Sequence, residues 1–180
     1  MHRILFRGLL LVWLLAWVAP SSAQSRAEMF SIAPRDLQQI TRSAGIIIGG
    51  KVVSVEPIRS VGAQHVASVQ ITLQVEQGIR GARSGQTVSF REWAGLWSTG
   101  ARYRVGQRVL LFLYSPSALG LTSPVGGTAG RFAIDHSGQI VFSEAQWHAI
   151  RGSTTPIRSG STHRVPLQEF VHAVRRMERE

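Results

Sequence analysis

The sequence predicts a mainly β fold: a small closed or partly open barrel with a short N-terminal helix and a C-terminal amphipathic helix. Three observations carry this. Val69, Ile71, Leu73 and Val75 alternate with Gln70, Thr72, Gln74 and Glu76, and a period of two puts the first set on a buried face and the second in water. Gly49-Gly50 interrupts an apolar β-type run, as a bulge or barrel corner does. Residues 109–114 are continuously apolar, as in a strand covered on both faces. Several short antiparallel-type strands with glycines at bends favour closure, which also removes exposed edges.

The elements follow in order. His2, Arg3 and Arg7 precede an uncharged, mostly apolar run at 8–19, then Pro20 and Ser21-Ser22-Ala23. This is the layout of an export signal cleaved after Ala23, and the run is shorter than the roughly 20 residues a membrane span needs. Residues 24–33 carry little pattern. Residues 34–44 predict a short helix, with Pro34 at its first position, Asp36 in its first turn, Leu37 and Ile40 on one face, and Gly45 beyond its end. Residues 46–48 and 52–55 form one bent strand that Pro57 is expected to stop. Strand 69–76 follows, then a glycine-rich turn at 78–85.

The third strand spans 86–91, with Val88 and Phe90 inward and Thr87, Ser89 and Arg91 outward. A long connection at 93–107 leads into the apolar strand 109–114. Short strands are expected at 119–121 and 130–134, and a turn at 135–138 leads into 139–142. Residues 143–165, rich in Ser, Thr, Gly and Pro, read as a surface excursion or linker. Leu167, Phe170, Val171, Val174 and Met177 make one apolar stripe in a helix over 166–180 that packs on the barrel. The expected organisation is therefore signal 1–23, N-terminal segment 24–44, barrel 45–142, excursion 143–165 and helix 166–180.

The mature chain would be 157 residues, Gln24 onward, enough for one domain with a sizeable core. It has no cysteine, so it relies on packing and ladder hydrogen bonds, and thiol nucleophiles, thiolate metal sites and a lipid-anchoring cysteine are excluded. The formal charge is +10; without Arg3 and Arg7, 18 basic residues face 10 acidic ones, giving +8. Every basic residue except Lys51 is arginine. The arginine bias reads either as a trace of genome base composition or as attraction to anionic partners. The charges form no run, so no nucleic-acid tail is indicated.

A resemblance adds to this. The stretches AGIIIGGKVVSVE, VQITLQVEQGIRGARSGQTVSF, YRVGQRVLLFL and GGTAGRFAID, within residues 44–142, resemble the netrin-module type of OB-like barrel, shared with tissue inhibitors of metalloproteinases. They resemble more closely exported bacterial proteins that carry a VGxxVLLFL strand and a GxFxVD strand. The resemblance implies a five-stranded barrel that binds something on its face or loops. The inhibitor mechanism does not carry over: it places an N-terminal, disulfide-held cysteine on a protease zinc, and here the expected N-terminus is Gln24 with no cysteine in the chain.

No catalytic motif stands out. His65, His136, His148, His163 and His172 form no HExxH and no His-x-His pair, so no metal or cofactor is expected. GxSxG is absent, Asp36 and Asp135 are the only aspartates, and Glu56, Glu76, Glu92 and Glu144 fall on separate elements. Residues 126–130, GGTAG, lead into a strand rather than the helix a phosphate loop needs, so they read as a tight turn. The strongest binding candidate is Arg91, Trp93, Trp97, Arg102, Tyr103 and Arg104, where arginines and aromatics mix. The competing reading is that these aromatics cover a barrel end.

The expected function is an exported, non-enzymatic binding module for a protein or cell-envelope component, with such a partner favoured over nucleic acid and no membrane-spanning helix in the mature chain. Two alternatives stay open. One is a modulator of a secreted protease, by fold analogy. The other is a hydrolase whose site would show as a deep pocket where a histidine, a carboxylate and a serine or threonine meet.

Overall fold

The computed structural model describes residues 37–58, 67–98, 102–151 and 163–179. The expected leader, residues 24–36, His65 and residues 152–162 lie outside the described residues. Among the described residues the chain is mainly β. In order it forms α1 (Leu37–Ser43), β1 (Ile46–Ile58), β2 (Ser68–Arg80), β3 (Thr87–Trp93), β4 (Arg108–Leu113), β5 (Arg131–Ile134), β6 (Gln139–Val141), α2 (Glu144–Arg151), β7 (Arg164–Pro166) and α3 (Leu167–Met177). The strands make one antiparallel sheet in the order β3-β2-β1-β4-β5-β6-β7.

β4 is apolar throughout because it serves two cores. Leu110 and Phe112 join α1, α3 and β5–β7 in one cluster. Val109, Leu111 and Leu113 join Ile48, Val52, Ile71, Leu73, Phe90 and Tyr103 in the other. All five β4 side chains from Val109 to Leu113 are fully buried. In the first cluster the Phe170 ring lies 5.2 Å from Phe132 and 5.6 Å from Phe142. The expected α3 stripe, Leu167, Phe170, Val171, Val174 and Met177, is the buried face of that helix.

β1 bends where its glycines are. The β1–β2 register shifts between Gly49 and Gly50, and again between Val52 and Ser54. A Cβ on Gly50 would stand 2.1 Å from the Gln74 carbonyl oxygen, so only glycine lets the strands approach this closely. The strand runs through Pro57, against expectation. Of β1, only Ile46–Lys51 pairs with β4, and past Val52 β1 pairs with β2 alone among the described strands. A residue without N–H is tolerated on such a half-free strand.

After β4 the chain returns across the end of β3. Thr122 N–H donates to the Arg91 carbonyl at 2.8 Å, Ser123 accepts from Tyr114 N–H at 3.1 Å, and Val125 N–H donates to Phe112 at 2.8 Å. Residues 121–125 thus lie between the free edge of β3 and the end of β4. The strand expected at 119–121 is instead a turn, closed by Gly120 N–H on the Ser117 carbonyl at 2.8 Å, with a single bridge at Leu121. Residues 126–130 form a tight turn, with Gly126 and Gly127 at positive φ and a 3-10 turn over Gly127–Gly130 that feeds β5.

The stretch expected as an unpatterned excursion holds α2 and β7. Ser143 and Gln146 form a capping box: Ser143 N–H donates to Gln146 Oε1 at 2.9 Å and Gln146 N–H to Ser143 Oγ at 3.3 Å. The C-terminal helix starts at Leu167, because Pro166 closes β7.

Candidate binding surface

The site is built on the alternation of β3. Thr87, Ser89, Arg91 and Trp93 point to one side of the strand; Val88, Phe90 and Glu92 point to the other. The inward series therefore ends on a carboxylate. Glu92 is fully buried, while Trp93 beside it is 51% exposed.

Three side chains from the following connection converge on Glu92. The Tyr103 hydroxyl donates to Oε1 at 2.8 Å and the Trp97 indole N–H to Oε2 at 3.1 Å. The Arg102 guanidinium lies 3.7 Å from Oε2. Arg131 stands over the Tyr103 ring, 5.4 Å from its centroid, and also donates to the Arg102 carbonyl. Burial pushes the Glu92 carboxyl above its ordinary value; Arg102, the Tyr103 and Trp97 hydrogen bonds and Arg131 pull the other way. Burial, then the neighbouring Glu92, drives the Tyr103 phenol far up, so it stays a donor. Both oxygens of Glu92 are taken by donors of its own chain. The cluster fastens Trp97, Arg102 and Tyr103 over the end of the second core.

The outer side of β3 is different. A Cβ on Gly95 would fall 2.3–2.6 Å from three atoms of the Trp93 six-membered ring, so the indole lies flat on a bare backbone and keeps its remaining surface exposed. Arg91 is held likewise. Its Nη2 donates to the Leu119 carbonyl at 2.9 Å, and a Cβ on Gly120 would sit 2.6 Å from that nitrogen. Gln70 and Thr72 of β2 stand opposite Arg91 and Ser89, and the Thr72 and Ser89 hydroxyls share a hydrogen bond of 2.9 Å. The outer face of β2–β3 is thus a row of short polar groups ending in a fixed guanidinium and a fixed indole.

The structure splits the six residues singled out by the sequence. Arg91 and Trp93 share the outer face. Trp97, Arg102 and Tyr103 turn inward to Glu92, and Tyr103, 2% exposed, belongs to the core rather than to a surface. Arg104 is exposed on a separate turn, which meets β1 through Gly106 N–H on the Val52 carbonyl at 2.8 Å. Sequence reasoning passed over Glu92. Its one local signal is position: it continues the inward series of Val88 and Phe90.

A histidine–carboxylate pair lies close to solvent. His163 Nδ1 lies 3.4 Å from Glu144 Oε2, both side chains well exposed, with the Trp147 ring 5.1 Å from the His163 ring. The nearby Ser143 hydroxyl caps α2. Among the described residues no three histidine, aspartate or glutamate side chains converge as metal ligands, and no helix is long and apolar enough to cross a membrane. No protein family model, no curated protein and no solved structure matches the chain.

Proposed function

We propose that the chain is an exported, non-enzymatic binding module, an OB-like barrel that takes a component of the cell envelope on the outer face of β2–β3. The export reading rests on the basic start, the short apolar run and the Ser21-Ser22-Ala23 site. Support for barrel closure comes from residues 121–125, which hydrogen-bond to Arg91 on one side and to Phe112 and Tyr114 on the other. A ring β1–β2–β3–(121–125)–β4 then surrounds the core of Ile48, Ile71, Leu73, Phe90 and Leu111.

One observation carries the binding reading: Trp93 and Arg91, two residues apart on β3, each lie on a glycine and stay accessible on one side. A large aromatic already fixed in place loses little freedom on binding. A flat indole beside a planar guanidinium and a row of hydroxyls and amides suits a ligand with a flat apolar face and a hydroxylated rim, the chemistry of a sugar ring. Both oxygens of Glu92 being occupied, and Ser143 being spent on its cap, supports binding over hydrolysis.

The test is retention on the sugar polymer isolated from a bacterial envelope, comparing the protein with its Trp93→Ala and Arg91→Ala variants. The proposal expects the unchanged protein to be retained, its tryptophan fluorescence to shift on binding, and Trp93→Ala to elute freely. Equal retention of Trp93→Ala overturns it.

A further inference from the structure

The opposite end of β2–β3 carries a different surface. Arg80, the last residue of β2, donates to the carbonyls of Thr41, at 3.0 Å, and Ala44. It also pairs with Glu178 at 2.9 Å. Arg175 of α3 donates to the Gly78 carbonyl at 3.4 Å. These bonds gather the C-terminal ends of α1 and α3 and the β2–β3 turn into one end of the molecule. Arg42, Arg83, Arg175, Arg176 and Arg179 are all exposed there. Of the acids nearby, Glu178 is already matched by Arg80, and Glu169 lines a groove with Arg176 and Arg179, about two turns back along α3 from Arg176, so the arginines stay in excess.

We propose that this arginine end is a docking surface for an anionic phospholipid membrane. The guanidinium is a planar fork that pairs bidentately with phosphate oxygens. The arginines come from three separate tips, two helix ends and a hairpin, an arrangement that meets a charged plane rather than following a single polymer strand. Among the described residues, the large exposed apolar side chains (Val53, Ile58, Trp93, Leu96, Val105 and Leu119) all lie on other segments. Attachment is therefore electrostatic and superficial, and salt weakens it. Ser68, paired with Trp93, and Arg80 are the two ends of β2. A protein seated on lipid through the arginine end keeps its Trp93 face clear of the bilayer.

The experiment is co-sedimentation of the purified protein with vesicles of mixed phosphatidylglycerol and phosphatidylcholine, against vesicles of phosphatidylcholine alone. Binding is expected only with the anionic lipid, and molar salt should abolish it. Each arginine at an anionic surface is worth about a five-fold change in partitioning. The combined Arg42→Gln, Arg83→Gln, Arg176→Gln, Arg179→Gln variant should therefore bind at least about 100-fold more weakly. The pair Lys51→Gln, Arg104→Gln, removing charge elsewhere, should cost far less. Equal binding to both vesicles, binding that survives molar salt, or equal loss from the two variants overturns the proposal; the first two need no substitution. Capture by dextran sulfate without vesicle binding overturns it in favour of an anionic glycan. Trp93→Ala should leave vesicle binding unchanged, so failure here and failure of the sugar-binding reading are separable.

Discussion

The Tyr103 hydroxyl donates to the buried Glu92 carboxylate at 2.8 Å, tying the far end of a long connection to the strand it left eleven residues earlier. Truncating the acid strands the buried Tyr103 hydroxyl and the part-buried Trp97 N–H, and leaves a void. Glu92→Ala should destabilise the fold by about 3–5 kcal/mol. Glu92→Gln keeps the volume and one carbonyl acceptor, and should cost far less. Tyr103→Phe removes one donor and should cost about 1–3 kcal/mol. Urea denaturation of the three variants checks the order.

The raised pKa of Glu92 sets a sign for pH dependence. Between the ordinary carboxyl value of 4.5 and its elevated folded value, the native state binds more protons at this site than the unfolded chain. Its contribution to stability therefore falls as pH rises through that window. Asp135 acts oppositely: hydrogen bonds, led by the Ser137 hydroxyl, hold it below its ordinary 3.8, so its contribution is lost as pH falls through the lowered value. Thermal melts of Glu92→Gln against the unchanged protein between pH 4 and 8 should show the high-pH penalty disappear.

Gly50 and Gly85 separate close approach from backbone strain. Alanine at Gly50 meets the Gln74 carbonyl at 2.1 Å and should cost about 3 kcal/mol by forcing the strands apart. Alanine at Gly85 meets nothing within 4 Å but inherits a φ of +87°, so about 1–2 kcal/mol is expected. Denaturation midpoints of the two variants test the contrast.

Gly95→Ala pushes the Trp93 ring from its resting place. The expected outcome is altered tryptophan emission and weaker envelope binding, with little change in melting temperature because the indole is already half exposed. An unchanged emission spectrum refutes the account of how Trp93 is held.

Ser143→Ala breaks the α2 capping box and should cost about 1 kcal/mol. Gln146→Ala should cost more, because its side-chain amide also donates to the Thr128 and Arg131 carbonyls at 2.8 and 3.0 Å. Denaturation midpoints again measure both.

What the sequence made legible is what local periodicity encodes. The alternation from Val69 to Val75, the unbroken β4 and the α3 stripe each report their own burial through neighbours a few residues away. The Gly49-Gly50 bend is equally local. Sheet order is not: nothing near β1 says that β2 and β4 flank it. The site was split for the same reason. Arg91, Trp93, Trp97 and Tyr103 look alike as exposed aromatic and basic residues until Glu92 selects which of them turn inward. Glu92, set between Arg91 and Trp93, reads as a solvated charge, and its partners lie five and eleven residues on. The helix α2 was missed although Ser143-x-x-Gln146 marks its start, because few apolar positions follow to give the mark a periodicity.

The double duty of β4 reaches beyond packing. Its odd-numbered side chains serve one core and its even-numbered ones the other, so the strand is a party wall between two rooms. Neither room can be demolished while the other stands. The half that packs α1 and α3 and the half that packs β2 and β3 are bound to melt together, and evolution cannot lend either one to another protein without rebuilding the wall.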